Sequence, residues 1–201
     1  MKPKNLNNLL IITAISIVSS LFVVFYFYIF PPKTLEIHVP HGSNEVIERN
    51  YDGPIYVVLA KTFYNPTKLK NINFNKLPPV YFANHFPLMP TLISITSFFT
   101  KDSFRAVILI TWLSTIGFAL VFYKFLQKFK ITNKPLLLTL VSLFIPPRML
   151  AIRTVGGTET LFMLILFSMI YLWWSKKYLA TAILSILLVL TRPPGIWMFF
   201  G

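Results

Sequence analysis

The stretch Leu9–Phe30, LLIITAISIVSSLFVVFYFYIF, decides how the rest of the chain is interpreted. It contains 22 residues and no charge, which as a helix is about 33 Å long, enough to cross a bilayer core of about 30 Å. A signal peptide is the alternative, because Lys2 and Lys4 precede the run. The run exceeds the usual apolar region of about 7–15 residues, and no small-x-small cleavage site precedes Pro31. We therefore interpret it as an uncleaved signal anchor.

Composition supports an integral membrane protein. The chain has 201 residues, of which 55% are hydrophobic and 12% charged, and its mean hydropathy is +0.66. Soluble domains carry about 25% charged residues, so a disordered tail is excluded and an ordinary soluble enzyme is disfavoured. The net charge of +13 does not indicate a nucleic-acid partner, because the basic residues lie between apolar runs. The absence of cysteine excludes disulfides, cysteine-ligated zinc and a thiol nucleophile.

Further apolar runs follow a long polar segment. They cover 106–123, 135–147, 160–174 and 178–190, the last being interrupted at Thr191–Pro194. The second and fourth of these have 13 residues, about 20 Å of helix, which is too short to cross alone. Either their ends reach a water-filled cavity or they are re-entrant, unless the bilayer is thinned around them.

These runs predict an all-α, polytopic membrane protein. Its parts are an anchor helix at 1–30, an extracytoplasmic loop with interfacial helices at 31–105, and further transmembrane helices at 106–201. The run that ends at Gly201 has no polar tail, and we expect the protein to continue beyond it.

The distribution of basic residues predicts the topology. With a cytoplasmic N-terminus and five crossings, the short inner segments hold eight lysines, and the short outer loops hold three arginines. The inner lysines are Lys2, Lys4, Lys124, Lys128, Lys130, Lys134, Lys176 and Lys177; the outer arginines are Arg148, Arg153 and Arg192. The positive-inside rule favours this orientation, in which the loop 31–105 is extracytoplasmic.

Asp52-Gly53-Pro54 predicts the start of a helix in that loop, because Asp caps helices and Pro is tolerated in the first turn. Apolar residues then recur at helical spacing, which predicts a single stripe facing the membrane interface: Ile55, Val58, Leu59, Thr62 and Phe63. We expect an exposed basic loop at 66–79 and another apolar helix at about 91–99. On spacing alone, Asp52 is either a simple helix cap or a functional carboxylate.

Four short segments carry a family resemblance. They are YDGPIY at 51–56 with Ala60 and Tyr64, HFPLMP at 85–90, TETLF at 158–162 and TRPPG at 191–195. In order and spacing they resemble motifs of membrane glycosyltransferases with the GT-C fold, in particular the PIG-V-like mannosyltransferases. Met89 stands where those proteins have an aromatic residue, and Gly157 replaces a Tyr.

The resemblance implies transfer of a sugar, mannose by analogy, from a polyprenyl-phosphate donor to a hydroxyl of a lipid or glycan acceptor. Asp52 is then the general base that takes the acceptor's proton in an inverting reaction. Arg148, Arg153 and Arg192 are the candidates for the donor phosphate, because a guanidinium binds phosphate in a bidentate manner and stays ionised. Snorkelling at the interface is the alternative for each arginine.

Tyr56, His85 and Glu159 complete the candidate substrate-binding set. Glu159 is the sole acid in the runs after residue 105, and an acid there is a functional candidate by default; pairing with Arg153 or capping together with Thr158 is the alternative. His85 is either a phosphate or metal ligand or a packing residue. No metal site or other cofactor is predicted, since His38-x-x-His41 is a loose match.

Two other functions stay open from the sequence. A transporter or flippase of lipid-linked material would account for the interrupted helices, although no related halves are visible. An inactive fragment or a non-catalytic assembly subunit is the third interpretation.

Overall fold

A computed structural model describes residues 3–29, 33–34, 37–38, 52–72 and 78–200. Over these ranges the chain is helical, which confirms the all-α class. The exception is a pair of two-residue strands, β1 (Lys33–Thr34) and β2 (Ile37–His38), which pair antiparallel with Lys33 opposite His38. Tyr51 and His41, which belong to predicted motifs, lie outside the described residues.

The helices are numbered along the chain. The first six are α1 (Pro3–Ile29), α2 (Gly53–Thr62), α3 (Pro66–Lys70), α4 (Pro79–Phe82), α5 (Leu88–Thr100) and α6 (Ser103–Lys128). They are followed by α7 (Pro135–Ser142), α8 (Arg148–Ile152), α9 (Glu159–Trp174), α10 (Tyr178–Val189) and α11 (Pro194–Phe200).

Helix α6 is the centre of the packing and contacts α1, α2, α5, α7 and α9. Asp102 caps it, because the carboxylate accepts a hydrogen bond of 2.8 Å from the Arg105 backbone amide. The main apolar core lies where α2, α5, α9 and α10 meet its N-terminal half. Its fully buried members include Met89, Ile93, Ala106 and Leu188.

Helix α1 packs antiparallel against α6. The Asn8 side-chain amide donates to the Tyr123 hydroxyl at 2.6 Å, and the Gln127 amide donates to the Asn5 side chain at 3.1 Å. These bonds place the start of α1 beside the end of α6. Ile12, buried between the two helices, is part of the apolar cluster one turn further along.

Among the residues that the structure describes, two helices are long and apolar enough to cross a membrane, within Asn5–Phe25 and Ser103–Lys128. Much of the first is uncovered by protein: Val18 is 64% and Phe22 69% exposed, and exposed apolar surface of this extent is typical of contact with lipid or another protein. The two apolar runs of 13 residues form short helices. The run 135–147 gives the eight-residue α7, and the run 178–190 gives the twelve-residue α10.

Helix α2 corrects the prediction of one apolar stripe. Its buried residues surround the axis, because Tyr56, Val57 and Ala60 join the main core while Ile55 and Leu59 join a second cluster with Leu69 and Phe82. Phe63, assigned to the stripe, is 62% exposed. A helix covered on two sides is an internal element, so the one-sided interfacial helix expected here was wrong.

The prediction of a basic loop at 66–79 was also partly wrong. Residues 66–70 form α3, where the Asn65 side chain accepts hydrogen bonds from the amides of Thr67 and Lys68 at 3.0 and 3.1 Å. Residues 73–77 lie outside the described ranges. The apolar helix expected at about 91–99 begins earlier, at Leu88, because Pro90 is tolerated in a first turn.

Contacts between the described helices define two opposite ends of the helical assembly. Lys128 donates to the Ser175 hydroxyl at 2.5 Å, which places the end of α6 beside the end of α9. At the opposite end, the amide of Leu88 donates to the carbonyl of Leu190 at 3.0 Å. Since Val107 lies near the beginning of α6 and Lys128 at its end, the two ends are about 30 Å apart.

Close backbone packing joins α2 to the loop 153–157. A Cβ atom added to Gly53 would lie 2.9 Å from the Val155 carbonyl oxygen, and one added to Gly156 would collide with the Val107 side chain. Gly156 also has φ +80°, a conformation that costs other residues about 1–3 kcal/mol. Both glycines are therefore needed for this contact.

We expect Gly156→Ala to destabilise the protein by about 1–3 kcal/mol, since it adds backbone strain and a steric clash. Gly117→Ala is the control, because its Cβ would meet only the flexible end of Leu164, at 3.1 Å, and Ala favours a helix. Thermal unfolding in detergent, followed by circular dichroism, should show a lower midpoint for Gly156→Ala alone. Equal midpoints would contradict the role assigned to this contact.

Candidate active site

Asp52 lies at the N-cap position of α2, but its side chain makes no capping hydrogen bond. Its backbone carbonyl accepts the Tyr56 amide at 3.0 Å, and the residue is exposed. The structure therefore does not support the simple interpretation of Asp52 as a helix cap. The carboxylate is held at a fixed helix end and is open to a substrate.

The glycine contact brings the loop 153–157 next to Asp52. Gly53, which adjoins Asp52, touches Val155 and Gly156, and Arg153 is two residues before Val155. Residues far apart in sequence thus share one end of the helical assembly.

Arg153 is the least expected feature of this end. It is 0% exposed, and its Nε, Nη1 and Nη2 atoms have no hydrogen-bond partner among the described residues. The guanidinium carbon lies 5.5 Å from the centre of the Phe144 ring, an attractive cation–π distance. Burial lowers the pKa of Arg153 to about 10, so the side chain remains cationic at neutral pH. A buried cation without a counterion is costly and is suited to binding an anion.

Glu159 pairs with two other arginines. Its Oε1 atom lies 3.1 Å from Nη1 of Arg192 and 4.0 Å from Nη2 of Arg148. The expected alternatives for Glu159 do not hold, since it is not paired with Arg153 and Thr158 makes no side-chain cap. Two of the three arginines predicted to converge therefore do so on one carboxylate, whereas Arg153 lies buried in the adjacent loop.

Tyr56 connects the parts of the site. Its hydroxyl hydrogen-bonds the Thr158 side chain, and it is close enough to Asp52, Arg192 and Glu159 to be affected by their charges. Burial is the main reason that the pKa of Tyr56 is raised; the Thr158 hydrogen bond and Arg192 act against it. Tyr56 is a neutral phenol at physiological pH, able to donate or accept a hydrogen bond.

His85 lies against Tyr56, with ring centres 5.3 Å apart in an edge-to-face arrangement. The Tyr64 hydroxyl donates to the His85 carbonyl at 2.6 Å, which fixes the backbone of the HFPLMP segment to the end of α2. Burial lowers the pKa of His85, although the Asp52 carboxylate and the Tyr81 backbone oppose this. A neutral imidazole packed against the Tyr56 ring fits a packing role.

Sequence reasoning missed three contributors to this geometry. Thr158 contacts Tyr56, Phe144 contacts Arg153 and Tyr64 holds His85. Tyr64 was visible as the last position of the Asp motif. Thr158 was visible as the first position of the TETLF segment, although not as a contact of Tyr56. Phe144 carried no comparable signal, because its contact with Arg153 depends on how the chain packs.

The described residues contain no group of three or more His, Asp or Glu that could hold a metal ion. The predicted pair His38 and His41 is not tested by this, since His41 lies outside the described ranges. Glu159 is engaged with arginines.

The chain matches no protein-family model, no curated protein and no solved structure. The class of protein must therefore be inferred from the site itself.

The lowered pKa of His85 predicts a pH effect on stability. The unfolded chain takes up this proton at the ordinary value near 6.5, whereas the folded chain takes it up only at lower pH. The contribution of His85 to folding stability is therefore fully present above the unfolded-state pKa, and it is lost as the pH falls below that pKa. Thermal unfolding at pH 7.5 and 5.5 should show a smaller drop for His85→Gln than for wild type. An equal drop in both proteins would show that His85 is not the source.

Proposed function

We propose that the protein is a multi-pass membrane glycosyltransferase. It transfers a sugar, mannose by family resemblance, from a polyprenyl phosphate to an acceptor hydroxyl at the extracytoplasmic face. Asp52 is the general base, and Arg153 binds the phosphate. One observation carries this: an uncapped, exposed carboxylate adjoins a loop that holds a buried guanidinium with no counterion among the described residues.

Asp52 suits the attack by the acceptor hydroxyl, and Arg153 suits the departure of the phosphate. The Asp52 carboxylate takes the proton of the acceptor hydroxyl as its oxygen forms a bond to the anomeric carbon. The bond between that carbon and the phosphate oxygen breaks, and the electron pair leaves with the polyprenyl phosphate. Arg153 offsets the charge that develops on the leaving phosphate, in a site from which water is largely excluded.

The remaining residues hold this arrangement. Glu159 lies 3.1 Å from Arg192 and 4.0 Å from Arg148, so one carboxylate orients two guanidinium groups and neutralises only one of their two positive charges. They are placed to contact the sugar or the edge of the phosphate. Tyr56 and His85 form the wall beside Asp52 and are placed to bind the acceptor or the sugar.

The separation of the two ends supports the membrane placement. Lys124, Lys128 and Lys176 are exposed at one end, and the site lies at the other, about 30 Å away along α6. That distance equals the hydrocarbon thickness of a bilayer. Lysines at one face and a lipid-phosphate site at the other agree with the positive-inside rule.

Loss of the base should abolish transfer. We expect Asp52→Asn to lower the rate of sugar transfer by about 10²–10⁴-fold, measured with a radiolabelled polyprenyl-phosphate mannose in membranes that contain the full-length protein. Asp102→Asn is the matched control, also an exposed Asp at a helix start, where Asn caps equally well. Unchanged transfer by Asp52→Asn, or equal loss in both variants, would contradict the assignment.

The orientation can be tested separately, because the chain has no cysteine. A single cysteine at the exposed position Thr67 should react with a membrane-impermeant maleimide in intact cells. One at the exposed position Asn133 should react only after permeabilisation. The reverse pattern would place Asp52 in the cytoplasm and refute the proposed topology.

A further inference from the structure

An open groove runs along α1 toward the site end. It lies between the second half of α1 and the segment that joins α7 to α8, and its volume is about 410 Å³. Ligand pockets commonly have about 300–1,000 Å³. Its lining residues are Ile15, Val18, Ser19, Phe22, Val23, Phe144 and Leu150.

The groove offers no polar group to a ligand. Ser19, the polar member of the lining, donates its hydroxyl to the Ile15 carbonyl of its own helix at 2.5 Å. Val18 and Phe22 are largely exposed along the groove. A lining of this composition is stabilised by contact with hydrocarbon rather than with polar groups. In the proposed membrane placement the groove opens toward the lipid.

The end of the groove adjoins Arg153, whose guanidinium has no hydrogen-bond partner among the described residues. Phe144 lines the groove, and its ring centre lies 5.5 Å from the Arg153 guanidinium carbon. Leu150, another lining residue, precedes Arg153 by three positions, so it lies one helical turn away. Hydrocarbon surface and a buried positive charge are thus adjacent, as a ligand with an apolar tail and an anionic head requires.

We propose that this groove seats the isoprenoid tail of the lipid-phosphate donor, with the phosphate neutralised by Arg153. The inference rests on the proposed function and adds where the lipid is held. Arg153 is fully buried, so the phosphate enters only if a covering side chain moves. Phe144, in the turn after α7, is 38% exposed and lies against the guanidinium.

Binding can be tested without catalysis. The full-length protein is reconstituted in phosphatidylcholine vesicles and photolabelled with farnesyl phosphate that carries a diazirine at the end of its tail. Mass spectrometry should locate the label within 15–23 or 144–150. Unlabelled farnesyl phosphate should compete, whereas inorganic phosphate, farnesol and phosphatidic acid should compete at least about tenfold less well.

Two tryptophan substitutions on α1 test the groove itself. Val18→Trp fills it and should weaken farnesyl phosphate binding about tenfold, since a few methylene groups lose their contacts. Leu10→Trp is the matched control, because Leu10 is 60% and Val18 64% exposed but Leu10 lies outside the groove. It should bind as the wild type does.

The outcomes distinguish the alternatives. Equal binding by the two tryptophan variants, or labelling confined to other helices, would overturn the proposal. Equal competition by phosphatidic acid would identify a groove for bulk phospholipid, and equal competition by inorganic phosphate would identify a headgroup site without a tail seat. Either result also overturns it.

The experiments distinguish an error in the proposed reaction from an error in the proposed tail site. If farnesyl phosphate binds as expected but Asp52→Asn leaves transfer unchanged, the proposed chemistry is wrong and the lipid-phosphate site stands. If transfer depends on Asp52 and Val18→Trp leaves the KM for the lipid donor unchanged, only the tail site is wrong.

Discussion

The backbone contact between Gly53 and the loop Val155–Gly156 determines the geometry of the candidate site. It places the first turn of α2 directly on a loop about one hundred residues later, with Val107 of α6 closing the contact from below. A side chain larger than hydrogen at either glycine would separate the two segments. Asp52 and Arg153 flank this contact, so their positions relative to each other depend on it.

The three arginines at this end of the assembly differ in their partners. Arg192 and Arg148 share Glu159, whereas Arg153 is fully buried, contacts the Phe144 ring and has no hydrogen-bond partner among the described residues. Desolvating a guanidinium costs several kcal/mol unless a counterion or hydrogen bonds offset it. A protein that only needed stability would place an apolar residue there. An anionic group placed against Arg153 would offset this cost.

The long helix α6 relates this site to the rest of the molecule. One of its ends carries the loop contacts at Val107, and the other carries the Asn8–Tyr123–Gln127 hydrogen bonds and the exposed lysines. The apolar groove begins along α1 and finishes beside Arg153. A ligand that lies in the membrane with its polar end at the surface would follow this path.

The sequence by itself determined the helical class, the two long apolar helices and the position of Asp52 at the start of a helix, since these follow from local composition and capping. It also singled out Glu159 because an acid is costly among apolar runs, and Arg192 because a guanidinium suits a phosphate. It mispredicted α2 as one-sided, since the second covering layer comes from Leu69 and Phe82. Only the tertiary structure decided that Glu159 pairs with Arg192 and that buried Arg153 has no carboxylate partner among the described residues. Such pairings depend on how distant helices pack, and nothing in the local sequence specifies them.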